Sequence, residues 1–418
     1  MLRMQRHGVT VNCSPAVALG VLFAAACGSR TGLLPAPGDA GPTQLESDAG
    51  SDASGGSSGG SSGGAMPDGS VTPTCVPMSG VVTLAAGQSG LGPLAVDSTN
   101  VYWAVTTTST GSVVQSSGYA IVRADKCGGE VSTLATGAGT LSWLGTEGGS
   151  VYAQTLTAPY PNGSESVIRV GIQGGAVSTL VTRTAAEYGV GGIQDVALDP
   201  TRIYWTEEDS PLDGPGNGVV MGAPLAGGAA TTLASGQDAP FGVAAASGQV
   251  YWANIGGQFD YGHVGSAFRE PVSGGIPVTL GNYAVGPVGL NTTSVFWSVL
   301  YESWSSSTQQ YTYNAAVVAT PLAGGTVTTV MSTGPVASAY PGPTGEVGSS
   351  GTLVVDDSSL YFVNQASPDA GTLMKVPVGG GVTTTLASAG AVGAIAIDDA
   401  SLYWTSVADG SVVRLTPK

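Results

Sequence analysis

Charge is scarce in this chain. Asp, Glu, Lys and Arg make up only 10% of its 418 residues, against roughly 25% in an average domain. Basic residues are the scarcer kind, 12 against 28 acidic ones, for a net charge of −16. A surface this acidic repels phosphate backbones and anionic headgroups, which argues against a nucleic-acid role. Histidine occurs twice, and His263 is the one that lies beyond the first thirty residues. That rules out His-rich metal centres and paired-histidine chemistry. No nucleophile elbow accompanies His263. No stretch carries a long helical period, and no apolar run is long enough to span a bilayer comfortably. Neither a metal site nor a cofactor site is expected.

What the chain has in abundance is glycine, 66 residues, together with Thr, Val and Ser. Such a composition suits tight turns and short strands. The first 26 residues read as an export signal. Arg3 and Arg6 precede an apolar stretch from Ala16 to Phe23, and Ala24-Ala25-Ala26 offers a small-residue cleavage site. Small residues before Cys27 resemble a bacterial lipoprotein box, with Ala24 where leucine is usual. That resemblance implies acylation of Cys27, and Gly28 after it implies outer-membrane sorting; ordinary secretion is the alternative. Residues 27–74 read as a disordered tether. They hold Pro35, Pro37, Pro42 and the Gly/Ser run from Ser54 to Gly64. A coil of that length spans roughly 35–40 Å. Loss of a leader containing Arg3 and Arg6, and no acid, takes the net charge from −16 to −18.

Residues 75–418 carry a repeat. An aliphatic residue followed by an aromatic pair recurs at Val101-Tyr102-Trp103, Ile203-Tyr204-Trp205, Val250-Tyr251-Trp252, Val295-Phe296-Trp297, Leu360-Tyr361-Phe362 and Leu402-Tyr403-Trp404. A weaker copy is Val151-Tyr152-Ala153. A period of about 40 to 50 residues built from short strands is the mark of a propeller blade. In the last copy, Ala394–Ile397 makes a first strand and Leu402–Thr405 a second. Asp409-Gly410 then turns into a third, Ser411–Leu415. The chain stops one strand short of four. The Gly-Gly and Thr-rich fourth strand of other copies, such as 227–234 and 324–330, has a counterpart at Gly80–Ala85, ahead of the first copy. The expectation is an all-β, seven-bladed β-propeller closed by an N-terminal outer strand, working as a single copy.

The Tyr-Trp and Ile-Tyr-Trp-Thr units resemble the YWTD repeat of low-density-lipoprotein-receptor propellers. That family has six blades and an Asp after the Thr, where Glu207 and Ser406 stand here. The Gly-Gly, Thr-rich repeats also resemble bacterial surface lipoproteins of unassigned function. Both resemblances imply the propeller fold and leave the activity open.

Several prominent residues have structural explanations. One ring of each aromatic pair packs between blades. Asp97, Asp199, Asp356 and Asp398 close the first hairpin of their blades. Arg123, Arg169, Arg269, Lys375 and Arg414 occupy matching third-strand positions and read as a stripe paired with acids. Cys75 and Cys127 are the cysteines left for a disulfide in an oxidising compartment, two separate thiols being the alternative.

Function is expected on the face carrying the connections between second and third strands and between blades, whose lengths vary. The second-to-third connections read as long loops in blades one to five, with a further insertion at 335–350. Ligand-binding candidates there are Glu207 and Asp209 in blade three, Asp260, Tyr261 and His263 in blade four, and Tyr301, Trp304, Tyr311 and Tyr313 in blade five. Rings cover apolar faces while carboxylates accept hydrogen bonds, a combination suited to protein or glycan contacts. The expectation is a lipid-anchored binding module of the cell envelope with no catalytic set. The alternative is an exported hydrolase or lyase using two carboxylates among Glu207, Asp209, Asp260 and Glu302.

Overall fold

In a computed structural model, residues 79–109, 116–157, 163–184, 192–208, 216–255, 265–305, 310–336, 353–367 and 370–418 are described. They form seven four-stranded antiparallel sheets and no helix. Sheets one to six each run in chain order from the inner strand outwards, starting at Leu91, Thr140, Gly192, Pro240, Ala284 and Leu353. The seventh is Val392–Ile397, Leu402–Ser406 and Ser411–Thr416, completed by Gly80–Ala85 as its outer strand. Val81 pairs with Leu415, Val82 with Arg414 and Thr83 with Val413. Each inner strand touches those of the blades on either side, and the inner strand of blade one touches that of blade seven. The chain is therefore a closed seven-bladed propeller, as its repeats require.

Seven hydrophobic clusters fill the seven blade interfaces, and their composition explains the aromatic pair. The Tyr or Phe faces the next blade, while the following Trp or Phe faces the previous one. Tyr403 of blade seven meets Trp103 of blade one, Tyr152 meets Trp205, and Tyr204 meets Trp252. Tyr251 meets Trp297, Phe296 meets Phe362, and Tyr361 meets Trp404. Both rings thus pack between blades, where the sequence reading assigned only one. Period-two alternation sends the two rings to opposite faces of a sheet, and in a propeller both faces are interfaces. In blade two the second ring is Ala153, opposite Tyr102.

Polar groups fix the first hairpin of four blades on the side of the short turns. Oδ1 of Asp97, Asp199, Asp356 and Asp398 accepts the N–H groups of the residues two and three further on. Oδ2 accepts the hydroxyl of the tyrosine five further on: Tyr102, Tyr204, Tyr361 and Tyr403, at 2.6–3.1 Å. Burial alone would raise these carboxyls. The hydroxyls and turn amides outweigh it and hold all four below the usual carboxylate value, with added help from Lys418 at Asp356 and Lys126 at Asp398.

The basic stripe is structural, but its partners are backbone carbonyls rather than acids. Arg123 donates to Ile172 O, Arg169 to Leu225 O, Arg269 to Ala323 O, Lys375 to Lys418 O and Arg414 to Lys126 O. The first three acceptors and Lys126 lie in the turn after the third strand of the following blade, and Lys418 follows the third strand of blade seven. The adjoining Gly-Gly pairs explain why a side chain from another blade can reach in. Gly227 and Gly228, for example, have φ of 90° and 140°, conformations that L side chains rarely adopt. A rigid turn then offers its carbonyl at a fixed place.

Three expected outcomes follow from this packing. Trp252→Ala empties a fully buried site and should cost about 3–5 kcal/mol in urea denaturation. Ile276→Ala, at an exposed position, should change stability by no more than about 0.5 kcal/mol. Arg414→Ala removes a buried charge-assisted bond between blades seven and one, with an expected loss of about 1.5–3 kcal/mol by the same measurement.

Candidate functional site

The two faces of the disc differ. One carries the Asp-capped and Gly-Gly turns. The other carries the connections from second to third strands and from blade to blade. Of the sequence candidates, Glu207 is fully placed. It ends the second strand of blade three, Arg202–Glu208, on the variable face. Its Oε1 accepts the Trp205 indole N–H at 2.6 Å, and its Oε2 lies 3.1 Å from Arg183 Nε. Trp205 belongs to the blade two–three core, so a buried ring holds this carboxylate from below.

Two neighbours, Arg183 and Glu165, join Glu207 that the sequence did not single out. Arg183 ends the outer strand of blade two, Ser178–Thr184, and also donates to Glu208 O. Glu165, in Ser164–Gly171 of the same blade, accepts the Ile193 N–H at 2.6 Å. Gly192 stands beside it with φ of 139°, and a Cβ there would come within 2.5 Å of the Glu165 oxygens. Burial pushes Glu165 up and Glu207 adds to this, while the Ile193 amide and Arg183 pull it down. Glu208 is likewise pushed up by burial and then by Asp238. The result is an acid-rich cluster with one guanidinium at its centre. Among the described residues, no group of three His, Cys, Asp or Glu side chains is arranged to hold a metal ion.

Asp195 lies two residues further along the inner strand of blade three, Gly192–Leu198. Its oxygens accept the N–H of Val196 and, across the blade boundary, that of Val243, both at 2.9 Å. Enclosure of the carboxyl pushes it up to about 7, against the pull of those two amides. Nothing local in Gly192-Ile193-Gln194-Asp195-Val196 marks this residue, because its burial comes from blade four.

The blade-five candidates are not in a loop. Ser294–Ser305 and Gln310–Pro321 form a hairpin of 12-residue strands that pair without a bulge up to Ser305 and Gln310. Backbone register sets Trp304 opposite Tyr311 and Glu302 opposite Tyr313, with Tyr301 opposite Asn314. The Gln310–Asn314 side alternates polar residues with Tyr311 and Tyr313, and Tyr301 and Trp304 add aromatic strand formers across from it, so the segment extends the sheet instead of leaving it. Pro335, read as the start of an insertion, pairs with Asn314 inside the outer strand Thr328–Val336. Asp209, Asp260, Tyr261 and His263 lie outside the described residues, as do Cys27 and Cys75. Cys127 is disulfide-bonded.

On the opposite face a depression of about 500 Å³ is lined by Ala246, Ser247, Asn291, Thr292, Asp356 and Asp357, among others. Asp357 accepts the amide and hydroxyl of Thr292, and Asp356 is paired with Lys418. Its polar groups are thus engaged within the fold.

The raised Asp195 pKa sets a sign for pH dependence. A carboxyl whose folded value exceeds its unfolded value near 3.9 stabilises most when protonated, and that contribution is lost as pH rises through about 7. Glu165 and Glu208 act in the same direction. Asp195→Asn should therefore reduce the loss of stability between pH 5 and pH 8 by about 1–2 kcal/mol in urea denaturation. The slope is the readout, because the amide also changes one backbone bond at every pH.

Solved propellers are similar to this chain at low identity. The β-propeller domain of the trilobed protease from Pyrococcus furiosus matches with a TM-score of 0.52 at 7% identity, over 80% of this chain and 97% of that one. That domain is described as having an open velcro topology, whereas here Gly80–Ala85 closes blade seven. An acylaminoacyl peptidase bound to Z-Gly-Gly-Phe-chloromethyl ketone matches with a TM-score of 0.51 at 9% identity, over 76% of this chain and 49% of that one. TolB from Acinetobacter baumannii matches with a TM-score of 0.40 at 10% identity, over 71% of this chain and 59% of that one. The chain thus spans about half of the peptidase and under two thirds of TolB. No family model matches the chain, and no curated protein matches it. At these identities the likeness shows a β-propeller and carries no activity with it.

Proposed function

We propose that this chain is an envelope-anchored binding module whose variable face recognises a protein or glycan. The observation that carries the reading is the inequality of the two faces. On the turn side, Asp–Tyr, Arg–carbonyl and Lys–Asp contacts recur from blade to blade and hold those side chains against the propeller itself. On the other side stand the Glu165–Arg183–Glu207 cluster and a hairpin with aromatic residues at Tyr301, Trp304, Tyr311 and Tyr313. A rigid scaffold with its recognition chemistry confined to one face is the usual arrangement for binding. The excess of 28 acidic over 12 basic residues favours a partner with cationic or hydrogen-bond-donating groups.

The leader-like start, Cys27 and the Gly/Ser tether support a lipid anchor that holds the propeller clear of an outer membrane, consistent with the surface-lipoprotein resemblance. A Cys75–Cys127 bond would pin the chain where it joins the disc. Asp209, Asp260, Tyr261 and His263 belong to the same proposed face by their place in the sequence.

A second reading, a carboxylate-dependent hydrolase or lyase, draws on one observation, the raised protonation of Glu165 beside Glu207. Against it, Glu165 is engaged with the Ile193 amide and Glu207 with Trp205 and Arg183. Two carboxylates so engaged serve the fold before they serve a substrate.

The experiment is capture of partners from envelope extracts on the immobilised chain. The Tyr301→Ala, Trp304→Ala, Tyr313→Ala triple variant should lose a partner bound by the wild type about tenfold or more, whereas Asp357→Ala on the turn face should retain it. The opposite pattern rejects the face assignment. Release of reducing sugar or peptide fragments by the wild type, lost in Glu165→Gln, would instead establish the enzyme.

A further inference from the structure

The blade-five hairpin has an edge that the rest of its sheet leaves open. The inner strand of that blade, Ala284–Leu290, pairs with the second strand only as far as Val299, opposite Ala284. The second strand runs on to Ser305. Among the described residues, nothing pairs with the inner edge of Leu300–Ser305, while its other edge is paired throughout with the third strand. Six residues at about 3.4 Å each make a ledge of roughly 20 Å beyond the inner strand. Among the described residues, blade six has a five-residue overhang past Phe362, and blade one a shorter one. The second strand of blade one continues past the Thr106–Gly90 backbone bond by only three residues, Thr107-Thr108-Ser109.

An open edge exposes unpaired N–H and C=O groups, and soluble proteins ordinarily guard it with Lys, Pro or a bulge. The blade-five edge reads Leu300-Tyr301-Glu302-Ser303-Trp304-Ser305. It has no Lys and no Pro, and its register with the third strand shows no bulge. With Leu300, Tyr301 and Trp304 favouring extended backbone and Glu302 as its one charge, such an edge can take up a strand from outside.

We propose that Leu300–Ser305 binds an extended, basic segment of another protein by strand addition. This rests on the reading of the variable face as a binding surface and names how part of it works. Main-chain bonds to the edge supply the affinity. Charge complementarity selects the occupant, since Glu302 lies on the ledge and the chain carries 28 acidic against 12 basic residues. A second copy of this chain is disfavoured as occupant, because two faces of this charge repel.

The test uses the full chain and a fluorescent ten-residue peptide that alternates Lys with Val and Thr, read by polarisation. Its control is the same peptide N-methylated at every second residue, which keeps charge and side chains but removes the donors of one edge. The expected result is binding that weakens about tenfold or more on methylation. Hydrogen exchange at amides in Leu300–Ser305 should slow with the unmethylated peptide alone, and Glu302→Lys should weaken binding. Equal binding of both peptides overturns strand addition. Slowed exchange around Glu207 and not at the ledge overturns this proposal while leaving the variable face as a binding surface. Concentration-dependent protection of the ledge without peptide shows a second copy there and overturns the proposed occupant. Absence of peptide binding overturns the ledge, and partner capture with the triple alanine variant then decides the wider reading separately.

Discussion

Ring closure is the constraint on which the other contacts depend. Each blade buries both faces of its sheet, one against each neighbour, and a seventh blade of three strands would leave an unpaired edge and a thin interface. Pairing of Gly80–Ala85 with Ser411–Thr416 removes that edge. It also brings Leu84 and Ala85 into the cluster that contains Tyr403 of blade seven and Trp103 of blade one. The two ends of the domain thus share one hydrophobic core, and separating them opens the propeller at its weakest place.

Ion pairs lie on both sides of blade seven. At one repeat position the blades carry Ile172, Leu225, Val272, Leu322 and Val378, but blade one carries Lys126 and blade seven ends in Lys418. Lys126 reaches back to Asp398 and lies 5.6 Å from the centre of the Tyr403 ring. Lys418 reaches Asp356 and lies 5.4 Å from that of Tyr361. Two of the few basic residues therefore flank the blade assembled from both ends of the chain. Both pairs are largely shielded from solvent, where an opposite charge counts for more than at the open surface. The other five blades carry an aliphatic residue at this position.

The two faces of the disc have separate work. Short turns use their aspartates and basic side chains for their own geometry, through the recurring Asp–Tyr and Arg–carbonyl bonds. Connections on the other side are not bound by that repeat, so residues such as Glu207 and the blade-five hairpin can vary without breaking the ring. The Glu165–Arg183–Glu207 contact shows the coupling between the two roles. Trp205 fills a blade core with its ring and holds a surface carboxylate with its N–H.

Seven aromatic copies, the Gly-Gly turns and the stray Thr-rich strand at Gly80–Ala85 were sufficient to read blade number and closure from the sequence, because each blade is built from local, repeating rules. The aspartates were legible as turn formers for the same reason. The acceptors of the basic stripe were not, since Arg123 meets Ile172 only when one blade turns against the next. Asp195 and Glu165 were equally silent, because their raised protonation comes from enclosure by residues dozens of positions away. The blade-five segment read as a loop from its polar residues, yet cross-strand pairing with Tyr311 and Tyr313 made it a sheet. Local spacing alone determined the blades and their order. Which charges are buried, which edge stays open and which carboxylates meet were decided only by the tertiary structure, because desolvation and strand pairing are properties of neighbours that chain order does not supply.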